Sequence, residues 1–305
     1  MLSPSTRSSD PASRSAELLD PRFLARLEQL ALVSKKVFTG QLKGEKRSTR
    51  RGTSVEFADY RNYSAGDDLR YIDWNTYARL DKLFLKLFIE EEDLHVYLLV
   101  DCSRSMAYGT PIKLEYARRA AAALGYIGLV NYDRVALTPF SDALGPTIGP
   151  YRGRPHVMQY FRDLQRLEAG GQTRFGPTLR EFALRTKRAG VLILISDFFD
   201  PDYAEGLRAL LSRRFQVSVI HLFDDAELAP GFVGDLKLID AETGETREIS
   251  ITPSLLRDYQ RTVENFCGGL QSFCGRYGMD YIRATTSTPF DDLILRYLRR
   301  AGLVK

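Results

Sequence analysis

Val96-Tyr97-Leu98-Leu99-Val100, followed at once by Asp101-Cys102-Ser103-Arg104-Ser105, is the stretch on which the reading of this 305-residue chain turns. The first half is a short, nearly continuous apolar run, as a strand buried on both faces should be. The second half sets a carboxylate and two hydroxyls at alternate positions just past that strand. Working downstream, residues 114–130 read as an Ala-rich helix, 134–140 as a strand, 143–151 as a hairpin arm and 157–167 as a helix. Gly170-Gly171 breaks the chain, and residues 177–187 form a helix with Pro177 near its first turn, where proline is tolerated. The apolar run then recurs at 191–195 and 217–223, with a helix over 203–213 between. Residues 235–251 read as a β-hairpin inserted around Glu242-Thr243-Gly244-Glu245. A helix over 254–276, a strand over 279–284 and a helix over 290–300 complete the pattern. Apolar strands alternating with helices predict an α/β fold: a mostly parallel sheet flanked by helices on both faces.

Upstream the character changes. Residues 1–20 are polar, rich in Ser, Pro and Asp, and read as a disordered tail. Residues 21–93 read as an N-terminal helix followed by a small β-rich segment. The helix places Phe23, Leu24, Leu27, Leu30 and Ala31 at helical spacing, and candidate strands lie at 55–60 and 83–89. Between the strands sits a turn at Ser64-Ala65-Gly66-Asp67-Asp68, and Tyr71 and Trp74 are expected to pack the small β unit. The α/β domain is taken as residues 94–305, with the hairpin insertion at about 235–251.

Composition narrows the class. The net charge is +4, and residues 1–52 alone carry +6, so the basic excess is local to the N-terminal part. That gives no case for a nucleic-acid-binding protein. The basic loop at 43–52 reads as a solvated loop, with contact to an acidic partner as its functional alternative. Three cysteines are too few for a disulfide framework and fit a reducing compartment. Cys267 and Cys274 share a helical face and read as buried thiols. No stretch approaches the ~20 apolar residues of a membrane span, and the expected location is cytoplasmic. The histidines are scattered, and His221 reads as a hydrogen-bonded core residue. Asp67, Asp68 and Asp73 read as a turn with ion pairing to Arg70 or Arg79. No phosphate-binding glycine loop and no nucleophile elbow occur.

Three segments carry the chemistry. Asp101, Ser103 and Ser105 follow one apolar strand, Thr173 closes Gly170-Gly171-Gln172-Thr173 ahead of a helix, and Ser196-Asp197 follows another apolar strand. In an open parallel sheet, ligands bind beyond the carboxyl ends of the strands. These side chains offer only carboxylate and hydroxyl oxygens, the donors that a hard cation such as Mg²⁺ takes. Asp101, Ser103 and Ser105 alone could equally form a turn or cap the helix starting near Lys113. The three segments in order favour the cation.

The combination Asp-x-Ser-x-Ser, Gly-Gly-x-Thr with Gly176 and Leu179 following, and an Asp after an apolar strand resembles the metal-ion-dependent adhesion site of von Willebrand factor A domains. The resemblance implies a Rossmann-like fold holding Mg²⁺ (or Mn²⁺). Ser103, Ser105 and Thr173 would bind through hydroxyls, and Asp101 and Asp197 largely through waters. A protein partner's Asp or Glu would complete the site. One departure is Phe198-Phe199 after Asp197, where many such domains have glycine. The segments Glu56–Tyr63, Gly66–Trp74, Ala78-Arg79, Leu85-Lys86 and Glu90-Glu91-Glu92 resemble a bacterial family catalogued as domain of unknown function fifty-eight. That resemblance implies a working association with MoxR-type AAA+ ATPases, as an adaptor or co-chaperone. The expected function is therefore a non-enzymatic, metal-dependent protein-interaction module. The alternatives are a scaffold whose metal site is vestigial and a metal-dependent hydrolase.

Overall fold

The computed structural model describes residues 22, 25–29, 57–64, 67–88, 94–231, 234–239 and 246–300. The expected tail at 1–20 and basic loop at 43–52 lie outside them. The chain divides into two compact units, residues 37–93 and the remainder.

In the smaller unit, β1 (Phe57–Asn62) pairs antiparallel with β2 (Phe84–Phe88). Between them runs the short helix α1 (Trp74–Leu80). Asp73 caps it, its Oδ1 accepting from the Asn75 N–H at 3.0 Å and the Thr76 N–H at 3.3 Å. The Tyr60 hydroxyl donates to Asp73 Oδ2 at 2.7 Å, tying the cap to β1. Asp67 pairs with Arg61 and Asp68 with Arg70, each at 2.7 Å. One expectation fails: Trp74 is 58% exposed beside Tyr77, while Ile72 and Leu85, joined by a backbone bridge, are buried.

The larger unit is built on one six-stranded sheet. Its strands are β3 (His95–Asp101), β4 (Arg134–Phe140), β5 (Ile148–Arg152), β6 (Val191–Ser196), β7 (Gln216–Phe223) and, after a hairpin of β8 (Gly234–Ile239) and β9 (Thr246–Ile251), β10 (Asp280–Thr285). The order across the sheet is β10-β7-β6-β3-β4-β5, with every pairing parallel except β4–β5. The apolar runs behave as read: β3, β6 and β7 are buried almost end to end.

Helices cover both faces. In chain order they are α2 (Lys113–Val130), α3 (Val157–Gln165), α4 (Phe175–Arg185), α5 (Tyr203–Leu211), the single turn α6 (Asp225–Leu228), α7 (Pro253–Arg276) and α8 (Phe290–Arg300). One face packs α4, α5 and α7 against Tyr97, Leu99, Leu192, Leu194, Val217 and Val219. The other carries α2, α3 and α8. Ala117 and Ala120–Ala123 are buried and let α2 lie close on the sheet. At Gly125 the helix leaves room for the Tyr160 ring, whose hydroxyl donates to the Ala121 carbonyl at 2.6 Å. The helical residues 25–29 belong to this unit, with Leu27 buried and Arg26 3.5 Å from Asp291.

The connectivity positions the site. From β3 the chain moves outward to β4 and β5, then returns to the other side of β3 as β6 and moves outward again to β7 and β10. Such a reversal opens a crevice beyond the carboxyl ends of the two central strands. Val100 and Ile195 are level in register, so Asp101 and Ser196-Asp197 emerge side by side.

Candidate metal centre

Each strand end delivers one carboxylate. Asp101 is fully buried, and its Oδ1 accepts from the Ser103 N–H at 2.8 Å, turning the chain back over the strand. Its Oδ2 accepts from the Ser196 hydroxyl at 2.5 Å, joining the two strand ends directly. The turn brings the hydroxyls of Ser103 and Ser105 within 3.0 Å of each other, both buried. The alternation in Asp-x-Ser-x-Ser thus brings the two serine hydroxyls together on one side of the loop.

Backbone bonds pin the neighbouring loops. The Cys102 N–H donates to the Phe140 carbonyl at 2.7 Å, the Gly170 N–H to the Cys102 carbonyl at 2.7 Å and the Arg104 N–H to the Gly171 carbonyl at 3.0 Å. The Gly-Gly-x-Thr segment is therefore laced onto the Asp-x-Ser-x-Ser turn, with buried Thr173 two residues on. Gly171 has φ +76°, and a side chain there would meet Asp142 Oδ1 at 2.8 Å. Glycine is favoured at this point by its conformation. The Phe175 N–H donates to Asp200 Oδ2 at 2.7 Å, which caps α4 and ties this loop to the one after β6.

Asp197 is fully buried. Its Oδ1 accepts from the Phe199 N–H at 3.3 Å and its Oδ2 from the Lys113 ammonium at 2.8 Å. Phe198 has φ +59°, the left-handed conformation that favours glycine. Its buried ring, 4.8 Å from that of Phe175, holds it there. Phe199 points outward, 43% exposed, its ring centroid 5.2 Å from Lys113 Nζ.

The electrostatics follow from burial. Burial, and then the neighbouring Asp197, push the Asp101 carboxyl up to about 7, against the opposing hydrogen bonds from Ser196 and Ser103. Two acidic groups out of water favour a nearby positive charge. Among the described residues no three His, Cys, Asp or Glu side chains come together to hold a metal. The five candidate side chains offer two carboxylates and three hydroxyls, oxygen throughout, the donor chemistry that a hard divalent cation takes. His221 lies behind the site, its Nε2 2.9 Å from the Asp197 carbonyl and its Nδ1 2.8 Å from the Tyr281 hydroxyl. Burial takes its pKa down to about 3, so the imidazole is neutral, the core role expected of it.

Sequence reasoning missed Lys113, Glu227 and Asp224. Lys113 sits in the first turn of α2, where a helix least favours a cation. That misfit was the available signal. Asp224-x-x-Glu227 has the spacing of a capping box, which it forms.

Among the described residues no helix is long and apolar enough to cross a membrane. The chain is 31% identical over 259 residues to uncharacterized protein Rv1480 of Mycobacterium tuberculosis, covering 83% of this chain and 81% of that protein. It is 33% identical over 77 residues to uncharacterized protein MAV169 of Mycobacterium avium, covering 25% of this chain and 46% of that one. Among solved structures, conserved hypothetical protein BatB from Bacteroides thetaiotaomicron aligns with a TM-score of 0.42 and 16% identity, over 68% of this chain and 98% of that one. Residues 59–265 match the family described as protein of unknown function DUF58, and the chain belongs to that family.

Proposed function

We propose that this chain is a non-enzymatic, cation-dependent protein-interaction module whose larger unit is of von Willebrand factor A type. Asp101, Ser103, Ser105, Thr173 and Asp197 would hold a Mg²⁺ or Mn²⁺ ion. When bound, the ion supplies a positive charge at a largely water-excluded crevice, where an Asp or Glu of a partner protein gains most from it. The chain's own residues do the positioning. Ser196 and the Ser103 N–H orient Asp101, and the backbone lacing of residues 102, 104, 170 and 171 presents the Thr173 loop to the same turn.

The observation that carries this reading is the junction of two buried carboxylates and paired serine hydroxyls at the strand-order reversal. A MoxR-type AAA+ ATPase is the proposed partner, on the family resemblance of residues 56–92. The test is binding of the purified chain to such an ATPase in Mg²⁺ and in EDTA, with Asp101→Ala and Thr173→Ala alongside. The proposal expects binding that needs Mg²⁺ and is lost in both variants. Turnover of phosphoesters or peptides that needs Mg²⁺ and Asp101 would replace the reading with a hydrolase.

One observation favours a second reading. The Asp197 carboxylate is already paired with the Lys113 ammonium at 2.8 Å. A scaffold with a vestigial site would bind its partner equally in EDTA and would lose it at high salt.

A further inference from the structure

Lys113 is the most unusual charged residue in the larger unit. Its side chain is fully buried, in the first turn of a helix whose dipole opposes it. Lysine is buried this way only when paired, and two carboxylates pair it. Its ammonium donates to Asp197 Oδ2 at 2.8 Å and to Glu227 Oε1 at 2.5 Å.

Glu227 is itself held in place. Its Oε2 accepts from the Asp224 N–H at 2.7 Å. Asp224 accepts from the Ala226 N–H at 3.0 Å, the Thr110 N–H at 2.9 Å and the Thr286 hydroxyl at 3.0 Å. The Glu227 carbonyl accepts from the Tyr259 hydroxyl at 2.6 Å. Three separate parts of the chain thus fix the second carboxylate on the side of the ammonium away from the candidate site. Lys113 is stretched between a site carboxylate and an anchored carboxylate outside the site.

We infer that Lys113 is a tethered competitor for the cation site, which weakens divalent-ion binding through its hold on Asp197, and that Glu227 moderates that hold by sharing the ammonium. The inference rests on the cation-site reading above. An entering divalent ion must share Asp197 with a fixed positive charge that also repels it. Affinity for the ion alone is therefore kept low, and an acidic group from a partner restores the missing negative charge. Ion and partner then bind cooperatively, each raising the other's affinity by the same factor.

The test titrates Mn²⁺ alone into the full chain, following free Mn²⁺ by electron paramagnetic resonance, for the native protein, Lys113→Met, Glu227→Gln and Asp101→Asn. The inference expects Lys113→Met to tighten Mn²⁺ binding by at least ~10-fold. It expects Glu227→Gln to weaken binding, since the ammonium is then left to Asp197 alone. Asp101→Asn should abolish it. A purely structural Lys113 would shift melting temperatures and leave Mn²⁺ affinity alone. Equal affinity in the native protein and Lys113→Met overturns the inference and leaves the cation site standing. No binding in any of the proteins, Lys113→Met included, overturns the cation site itself. Should Lys113→Met not fold, Glu227→Gln decides, since its carboxylate is at the partly exposed end of the network, 16% accessible; unchanged or tighter binding overturns the inference.

Discussion

Replacing Asp101 by Asn should stabilise the protein in EDTA while destroying its response to Mg²⁺. Asp101 is fully buried, and burial together with Asp197 raises its carboxyl from the ordinary 3.8 to about 7. A folded-state pKa above the unfolded one means that the unfolded chain releases this proton more readily. Folding therefore loses stability as pH rises from about 4 to about 7, and the loss is complete above that. The difference corresponds to ~4 kcal/mol of preference for the neutral form. Asn is neutral at every pH and keeps an acceptor for the Ser103 N–H. Its amide must meet the Ser196 hydroxyl, which already accepts from the Phe198 N–H at 2.9 Å. An imperfect bond there removes ~1–3 kcal/mol. A net gain of ~2 kcal/mol remains at pH 8, or ~4–8 °C in melting temperature for a unit of this size. Melts at pH 8 and pH 5, in EDTA and in millimolar Mg²⁺, read the effect. The variant should lead at pH 8 in EDTA and lose its lead at pH 5, and millimolar Mg²⁺ should raise the melting temperature of the native protein by mass action while leaving that of the variant unchanged. A variant less stable at pH 8 in EDTA, or one with the same advantage at pH 5, would refute the reasoning.

His221 gives a pH dependence of opposite sign. Its folded pKa of about 3 lies below the unfolded 6.5, so its contribution is complete above 6.5 and is lost as pH falls through that window. In the Asp101→Asn background, urea melts should show a loss approaching ~1.4 kcal/mol per pH unit between pH 6 and 4, reduced by His221→Asn; no difference between the two would contradict a neutral buried imidazole. Gly171→Ala, forced into φ +76° against Asp142, should cost ~1–2 kcal/mol in thermal or urea unfolding and weaken Mn²⁺ binding by shifting the Thr173 loop. Phe199→Ala removes an exposed ring beside Lys113; partner binding measured by calorimetry should weaken by more than ~1 kcal/mol while one Mn²⁺ still binds.

The fold was legible because its central strands are apolar on both faces and short, so residues 96–100, 191–195 and 217–223 stand out without any partner in view. Their ends also pointed to Asp101 and Asp197 as candidates, since a carboxylate within two residues of such a run lies at the carboxyl end of its strand. What stayed hidden depended on distance along the chain. Lys113 shows in the sequence only as a cation in the first turn of a helix, and its partners, 84 and 114 positions away, come to it only in the fold. The same applies to α4, which begins at Phe175 rather than Pro177 because Asp200, 25 residues on, supplies its cap. Phe198 read as a departure from glycine; only the stack on Phe175 explains how an aromatic residue holds a left-handed backbone there. Trp74 misled for a related reason: a large aromatic side chain in a short segment carries no sign of whether another element reaches it.

The most direct measurement is a Mn²⁺ titration of the native protein and Thr173→Val at pH 8, followed by electron paramagnetic resonance. Thr173→Val deletes one hydroxyl and changes no charge, so it separates coordination from general electrostatics. The account predicts one Mn²⁺ per chain, displaced by Mg²⁺ and weakened by at least ~10-fold in the variant. Binding of equal strength in both proteins, or none in the native chain even with an added carboxylate-bearing partner, would contradict it.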